Sequence, residues 1–501
     1  MRAPLDRSPG GPRRRRTWWF PWAAVLVGLS PLVMTELVLR ALDLGRPRYE
    51  GDPFVGFSAV HPLFVLSQDG TRYEIARSRL DFFCPDWFSR VKGKNEFRAF
   101  CFGGSTVQGE PFRKQTSFTT WMELSLAAAD PNRQWRVVNC GGISYASYRL
   151  VPIMEEVLNN YQPDLMIVYT GQNEFLEDRT YRQIKNLAPY LAGPCRMVAR
   201  TRLFNVLSDA WWRLRGRPAA APVEGRPILK DETDAMLEYR GGLDRYHRDD
   251  KWRRDVIMHF EYNLRRMVQL CREHRVPLIL MNPVVNLRDC APFKAEHRRG
   301  LTEEELARWK SLFLEAAQCQ GKNIPRAIEL LEEAKRIDDQ HAGLHYALGK
   351  CYDMLGMMDK AKEEYILAKD NDICPLRILE PMSRIVLEVA ADTKTPLLDV
   401  RKMFEDLSED HLLGGYLLID HVHPSIYGHQ LIAEATVKLM QREGFLRIGP
   451  NWKQEQDRRF HEHFRSLPEL YFSRGMEKAE RLRCWTQGKG DSEPPKEWNG
   501  P

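Results

Sequence analysis

From residue 97 onward, the apolar residues of this chain alternate between two rhythms. Phe97–Phe102, Trp135–Cys140, Asp164–Thr170, Pro277–Asn282 and Pro396–Val400 are short, nearly continuous apolar runs. Runs of that length fit strands buried on both faces. Between them, Ser117–Ala129, Ala146–Asn160, Trp252–His274 and Ser425–Arg442 repeat apolar residues at helical spacing, and Asp130-Pro131 stops the first. Strands alternating with helices predict an α/β fold. It would have three layers, α/β/α, around a five-stranded parallel sheet in flavodoxin-like order 2-1-3-4-5.

The rhythm breaks in three places. Residues 40–96 mix Pro, Gly, aromatic and charged residues without a period and read as an irregular lead-in. Residues 178–250 hold scattered helical pieces and a Pro/Ala/Arg/Gly stretch, Arg213–Pro227, that reads as an exposed loop or linker. The third break, 300–375, has a period of its own. Counted from Ala342, the residues Leu348, Gly349, Tyr352, Gly356, Ala361, Tyr365 and Ala368 fall at positions 7, 8, 11, 15, 20, 24 and 27 of a 34-residue tetratricopeptide pattern. Ala327 and Ala334 occupy positions 20 and 27 one repeat earlier. Small residues suit the crossing of the paired helices, and a generic helical hairpin is the alternative. The flanking segments Thr302–Gln318 and Leu376–Val389 are expected to cap the pair. The parts that carry the strand–helix rhythm are then 97–290 and 376–445, followed by a C-terminal extension, 446–501, whose end from Gly488 reads as disordered.

The N-terminus changes the picture of where the chain resides. Residues 1–17 are basic, with Arg13–Arg16 in a row, and Trp18–Met34 carries no charge before Glu36. The segment 18–39 is expected to be a transmembrane signal-anchor, with Trp18, Trp19 and Trp22 at the interface; a cleaved signal or a soluble chain are the alternatives. The arginines put the N-terminus in the cytoplasm and the rest of the chain in the periplasm or outside the cell. The remaining charge, +6 overall, is spread out rather than striped, which argues against a nucleic-acid partner. The ten cysteines include no Cys-x-x-Cys, so cysteine-held metal is not expected; Cys101 and Cys140 read as buried thiols.

Three separated segments carry the chemistry. Gly103-Gly104-Ser105 follows the first strand, Gly171-Gln172-Asn173 follows the third, and Asp420-His421-Val422-His423 precedes the last helix. In an open parallel sheet of order 2-1-3-4-5 the crevice lies between strands one and three, which places Ser105 beside Asn173. A serine hydroxyl needs a base, and the base needs a group to orient it; His423 and Asp420 suit those roles. The Asn173 amide and the Ser105 N–H are candidate oxyanion donors, with a third from the loop Asn139–Tyr145. Each motif alone has a plainer reading. Gly-Gly-Ser could be a simple turn or phosphate cradle, Asn173 a helix cap, and His421-x-His423 a surface loop or a chelating pair.

Taken together, these blocks resemble the SGNH hydrolases, the GDSL-type esterase and lipase family, and with the anchor and repeats are similar to its bacterial membrane-anchored members. Gly-Gly-Ser105 stands where that family has Gly-Asp-Ser, Gly171-Gln-Asn173-Glu174 where it has Gly-x-Asn-Asp, and Asp420-x-x-His423 where it has Asp-x-x-His. Two departures are Gly104 and Glu174. In the second block, aligning Asn139 without a gap puts Ser144 at the oxyanion glycine, whereas Gly142 fits only after a shift of two. The resemblance implies an extracytoplasmic serine esterase or acyl hydrolase working through an acyl-enzyme on an acyl-ester substrate, without metal or organic cofactor. Two alternatives are an O-acyltransferase to a glycan or other hydroxyl acceptor, and an inactive scaffold. The repeats would supply a site for a protein or glycan partner, and because they join strands four and five they read as a separable module.

Overall fold

The computed structural model describes residues 20–42, 44, 61–177, 201–203, 206–207 and 242–486. The basic run Arg13–Arg16, Trp18 and Trp19, most of 178–250 including Arg213–Pro227, and the tail from Gly488 lie outside the described residues.

Five strands form the central sheet: β4 (Glu96–Gly103), β5 (Gln134–Gly141), β6 (Leu165–Tyr169), β7 (Leu278–Asn282) and β8 (Leu397–Asp399). All neighbours are parallel, in the order β5-β4-β6-β7-β8, which is the order 2-1-3-4-5 counted among these strands. Gly103, the last residue of β4, lies opposite Gly141 on one side and Tyr169 on the other. The chain therefore leaves β4 between the ends of its two neighbours, where the strand order reverses.

Helices cover both faces. On one lie α3 (Phe118–Ala129), α12 (Ile426–Arg442) and α13 (Trp452–Ser466). Their apolar stripes meet the sheet through Trp121, Met122, Leu126, Ile432, Val437 and Phe460, against Ala99, Cys101, Val137, Ile167 and Ile279. On the other face lie α4 (Ser147–Asn160), α5 (Asp250–Glu273) and α10 (Glu380–Thr393). The period-3.6 pattern of each helix and the apolar runs of each strand are both used: burying them against one another removes apolar surface from water on both faces of the sheet. Ser117 caps α3 by accepting from the Thr119 N–H, and Ser425 caps α12 by accepting from the Gly428 N–H.

The lead-in differs from expectation. Instead of being irregular throughout, it contains a three-stranded antiparallel sheet, β1 (Phe64–Leu66), β2 (Arg72–Ile75) and β3 (Trp87–Ser89). Strands of three or four residues are too short to show a period in sequence. Arg98, buried on β4, ties this sheet down by donating to the Ser89 carbonyl at 2.7 Å.

At the N-terminus, helix α1 covers Phe20–Ala41. Among the described residues, no helix is long and apolar enough to cross a membrane; the side chains of 20–27 lie outside them. Leu32, Val33, Met34, Leu37 and Val38 are exposed on α1. Glu36 accepts from the Leu203 N–H, and Arg202 donates to the Leu39 carbonyl, so 201–203 runs against α1. These residues belong to a compact unit distinct from the one that contains both sheets.

The insertion between β7 and β8 is helical: α6 (Glu303–Cys319), α7 (Ile324–Ile337), α8 (Ala342–Met354) and α9 (Met358–Asp370). Thr302 and Glu305 form a capping box at the start of α6. Gly349 on α8 marks the close crossing with α9, because a Cβ there would lie 2.7 Å from the Tyr365 ring. The remaining helices are the four-residue α2 (Ser105–Gln108), the short α11 (Val400–Leu407) and the closing α14 (Glu469–Thr486). Gly349→Val should lower stability by about 1–3 kcal/mol, the usual cost of overpacking. Gly321→Ala, where a Cβ meets nothing within 4 Å, should leave the denaturant midpoint unchanged. Equal midpoints for the two variants would contradict the close crossing.

Candidate active site

Ser105 is the first residue of α2, and Gly104 before it is extended. Two glycines are required here for steric reasons. A Cβ on Gly103 would lie 2.2 Å from the Tyr169 carbonyl oxygen and 2.4 Å from Val107; one on Gly104 would lie 2.4 Å from Asn173 Nδ2. The close approach of β4 and β6 thus brings the Asn173 amide against the backbone that precedes Ser105. Asn173 Nδ2 also donates to the Tyr145 carbonyl at 3.2 Å, joining the ends of β5, β4 and β6.

The loop before α12 brings in the other two groups. His423 Nε2 is 2.7 Å from Ser105 Oγ, and His423 Nδ1 is 2.6 Å from Asp420 Oδ2. Asp420 Oδ1 accepts from the Val422 and His423 N–H groups, both at 2.9 Å. Both side chains are buried. Burial alone would push the Asp420 carboxyl up, but the imidazoles of His423 and His421 outweigh it and hold it well below the usual carboxylate range. Burial would likewise push His423 down, and the Asp420 carboxylate reverses that, so this imidazole titrates above its ordinary value. An ionised Asp420 accepts from Nδ1–H, which leaves Nε2 as the acceptor for the Ser105 hydroxyl. Neighbouring His421 is held below its ordinary value by burial, and burial pushes His429 on α12 down to about 3.

The candidate oxyanion donors divide by geometry. The Ser105 N–H heads the first turn of α2, where no intrahelical acceptor exists. The Gly142 N–H donates to the Gly103 carbonyl at 3.0 Å, so that donor is already engaged. Ser144 has φ of 62°, the left-handed region, and its N–H has no acceptor among the described residues. Glu174, fully buried, accepts from the Ser147 N–H at 2.7 Å and the Ser147 hydroxyl at 2.9 Å, fastening the Asn173 loop to the start of α4.

Several residues around the site carry no sequence motif. Glu110 is buried, its N–H donates to the Ser105 carbonyl at 3.0 Å, and its carboxylate pairs with Lys478 of α14 at 2.5 Å. Both charges act on His423 in opposite senses. Arg483 of α14 donates to the Ile419 carbonyl beside Asp420. Asn286, in the loop after β7, bonds the backbone of the 420–423 loop. The sequence signal was absent because the contacts with Lys478, Arg483 and Asn286 join segments far apart in the chain. Asp420, His421 and His423 are also the described residues that could hold a metal ion, with ligating atoms within 4.8 Å. Both ring nitrogens of His423 already face Ser105 and Asp420, so an ion there would break the Ser105–His423–Asp420 chain.

No family model matches the chain, and no curated protein matches it. Among solved structures, it is similar to the lipase/acylhydrolase from Enterococcus faecalis, at 12% identity and TM-score 0.32, covering 70% of this chain and 98% of that one. It is also similar to an acetylxylan esterase from Geobacillus stearothermophilus, at 14% identity and TM-score 0.30, covering 70% and 96%. A third is an alpha/beta hydrolase enzyme from the metagenome of Lake Arreo, Spain, at 13% identity and TM-score 0.30, covering 70% and 97%. At such identity and TM-score the likeness carries nothing about reaction or substrate.

Because the neutral form of His423 is the base, any Ser105-dependent rate should rise with pH along a limb centred above the ordinary histidine value of about 6.5. A profile of kcat/KM on p-nitrophenyl acetate measures it. A limb centred below that value would contradict the Asp420–His423 pairing.

Proposed function

We propose that this chain is a serine esterase or acyl hydrolase. One observation carries the reading: an unbroken hydrogen-bonded chain from Ser105 Oγ through His423 to a buried Asp420, at 2.7 and 2.6 Å. A scaffold would have no need to keep a buried charge pair aligned on a serine hydroxyl.

In this reading Ser105 Oγ attacks the acyl carbonyl of an ester while its proton passes to His423 Nε2. Asp420 stabilises the resulting imidazolium and fixes the ring. The oxyanion receives the Ser105 N–H and the Asn173 amide, and Ser144 rather than Gly142 supplies the third N–H, since the Gly142 N–H is spent on Gly103. His423 returns the proton to the leaving alcohol, and water repeats the sequence in reverse to release the acid. No step in this sequence calls for a metal or organic cofactor.

We further read the N-terminal segment as a membrane anchor that leaves the catalytic unit outside the cytoplasm. Its support is the run Arg13–Arg16 ahead of an apolar stretch and the exposed apolar side chains of α1. A reporter fused after residue 60 should then be active only outside the cytoplasm. The helical block 300–375 is read as tetratricopeptide-like, on the placement of Gly349 against Tyr365.

Turnover of a small ester tests the central reading. Ser105→Ala and His423→Ala should each lower kcat by several orders of magnitude, and the double variant should be scarcely worse than either. Asp420→Asn should cost about 10⁴, because an amide can donate to Nδ1 and force the wrong tautomer. Asn173→Ala should cost about 10²–10³ in kcat with KM little changed. A folded Ser105→Ala protein with wild-type turnover overturns the reading.

A further inference from the structure

The loop that follows β7 is wedged between the helical block and the catalytic loop, and Asn286 is its pivot. Asn286 is buried, and all four of its hydrogen-bonding groups are used. Its N–H donates to the His421 carbonyl at 2.9 Å and its Nδ2 donates to the Asp420 carbonyl at 3.2 Å. Its Oδ1 accepts from the Asp289 N–H at 2.9 Å, and its carbonyl accepts from Arg377 Nη1 at 2.9 Å. Two of these bonds hold the backbone of Asp420, the partner of the base, and of His421, two residues before the base. The other two lead away from the site.

They lead into the insertion. Arg377, also buried, stands between α9 and α10; the same Nη1 donates to the Cys290 carbonyl at 2.8 Å, and its guanidinium lies over the Phe293 ring. The edge of Phe293 meets His421, with centroids 5.4 Å apart. Asp289 accepts from the Gly415 N–H at 2.8 Å, and the Leu287 and Arg288 N–H groups both donate to the Leu413 carbonyl. Arg288 closes the circuit with a bidentate pair to Asp353 on α8, at 2.8 and 2.5 Å, while Tyr346 of the same helix donates to the Arg288 carbonyl. A backbone loop tied at this many points has little freedom to move without leaving buried groups unpaired.

We propose that Asn286 is a positioning residue of the relay, through which the helical block fixes the 420–423 loop at the distance His423 needs from Ser105. This rests on the hydrolytic reading above. It makes the insertion part of the catalytic machinery, not the separable module that its place between β7 and β8 suggests. The amide is suited to the task because it donates to one carbonyl and accepts from another N–H without a charge. A carboxylate there would face the Asp420 carbonyl with a lone pair, and an alanine would leave buried donors and acceptors unpaired.

The groups that face His423 define the expected signature. Asp420 and His421 lie on its own loop, Glu110 follows α2, Lys478 is on α14 and His429 on α12, with Arg377 acting on His421. Of these, the Asp420 carboxylate is what raises the imidazole, and its effect falls as the pair separates. Loosening the loop should therefore lower the pH at which the base becomes neutral, while also misplacing it.

The test uses the full-length protein and the rate at which a fluorophosphonate labels Ser105, followed from pH 5 to 9 on the wild type, Ser105→Ala, Asn286→Ala and Asn286→Asp. Wild type must be labelled and Ser105→Ala must not; if wild type is unlabelled, the hydrolytic reading itself fails, apart from anything concerning Asn286. Given labelling, both Asn286 variants should show a plateau rate lowered by up to about 10²-fold, as a misplacement of about 1 Å produces, and the uncharged Asn286→Ala should also show a limb moved down toward the ordinary histidine value. KM for p-nitrophenyl acetate should stay within about twofold of wild type. Asn286→Asp is nearly isosteric and carries the test through the plateau rate, at unchanged KM, if the alanine variant does not fold. A folded Asn286→Ala protein with the wild-type limb, a folded Asn286→Asp protein with the wild-type plateau rate, or a rate loss that only tracks the unfolded fraction overturns the proposal.

Discussion

The site depends on a buried carboxylate and the imidazole bonded to it. Taking a carboxylate out of water is costly, and the cost is offset only if its oxygens are bonded and a cation or strong donor lies beside it. Asp420 meets both conditions within its own loop: two backbone N–H groups on Oδ1 and the His423 ring on Oδ2. The same arrangement sets the properties of the histidine. A ring that must donate from Nδ1 presents Nε2 as a base, and Ser105 is the group it faces. The pair therefore fixes both the shape of the loop and the direction in which a proton moves.

That loop is useful only where it is because of the sheet. With strand order β5-β4-β6-β7-β8, the chain emerging from β4 is flanked by the ends of β5 and β6, and the glycines at 103 and 104 let backbone and the Asn173 amide come within reach of the serine. Helix α12 starts immediately after the histidine loop and packs on α3, which follows the serine turn. The Phe118 N–H, at the head of α3, donates to His429 Nδ1 on α12. Two segments far apart in sequence are thus locked together at their helix starts, with the serine and histidine side by side.

Much of this could be read from the sequence, for identifiable reasons. The strands of the main sheet are buried on both faces, so their apolar runs are continuous, and the helices between them keep one stripe inward. Ser105, Asn173, Asp420 and His423 were legible because each sits at a turn next to such an element. The lead-in sheet was not legible, since strands as short as Phe64–Leu66 carry no period. Nor was the shape of the loop after β5: glycine is the easier guess at a left-handed position, yet Ser144 adopts it, while the Gly142 N–H donates to the Gly103 carbonyl. Glu110, Lys478 and Asn286 escaped because pairings across the fold leave no local pattern. The ties of the helical block to the rest of the fold were hidden for the same reason, as they run through Arg288, Phe293 and Arg377 in connecting loops.

The most direct test of the relay is the protonation state of His423 itself. Nitrogen-15 NMR on protein labelled at its 13 histidines, with His423 assigned by comparison with His423→Gln, reads the tautomer of the neutral ring. The account predicts Nδ1–H with Nε2 unprotonated, and a switch to the other tautomer or to a mixture in Asp420→Asn. A neutral His423 that carries its proton on Nε2 in the unaltered protein would contradict it, because that ring could not take a proton from Ser105.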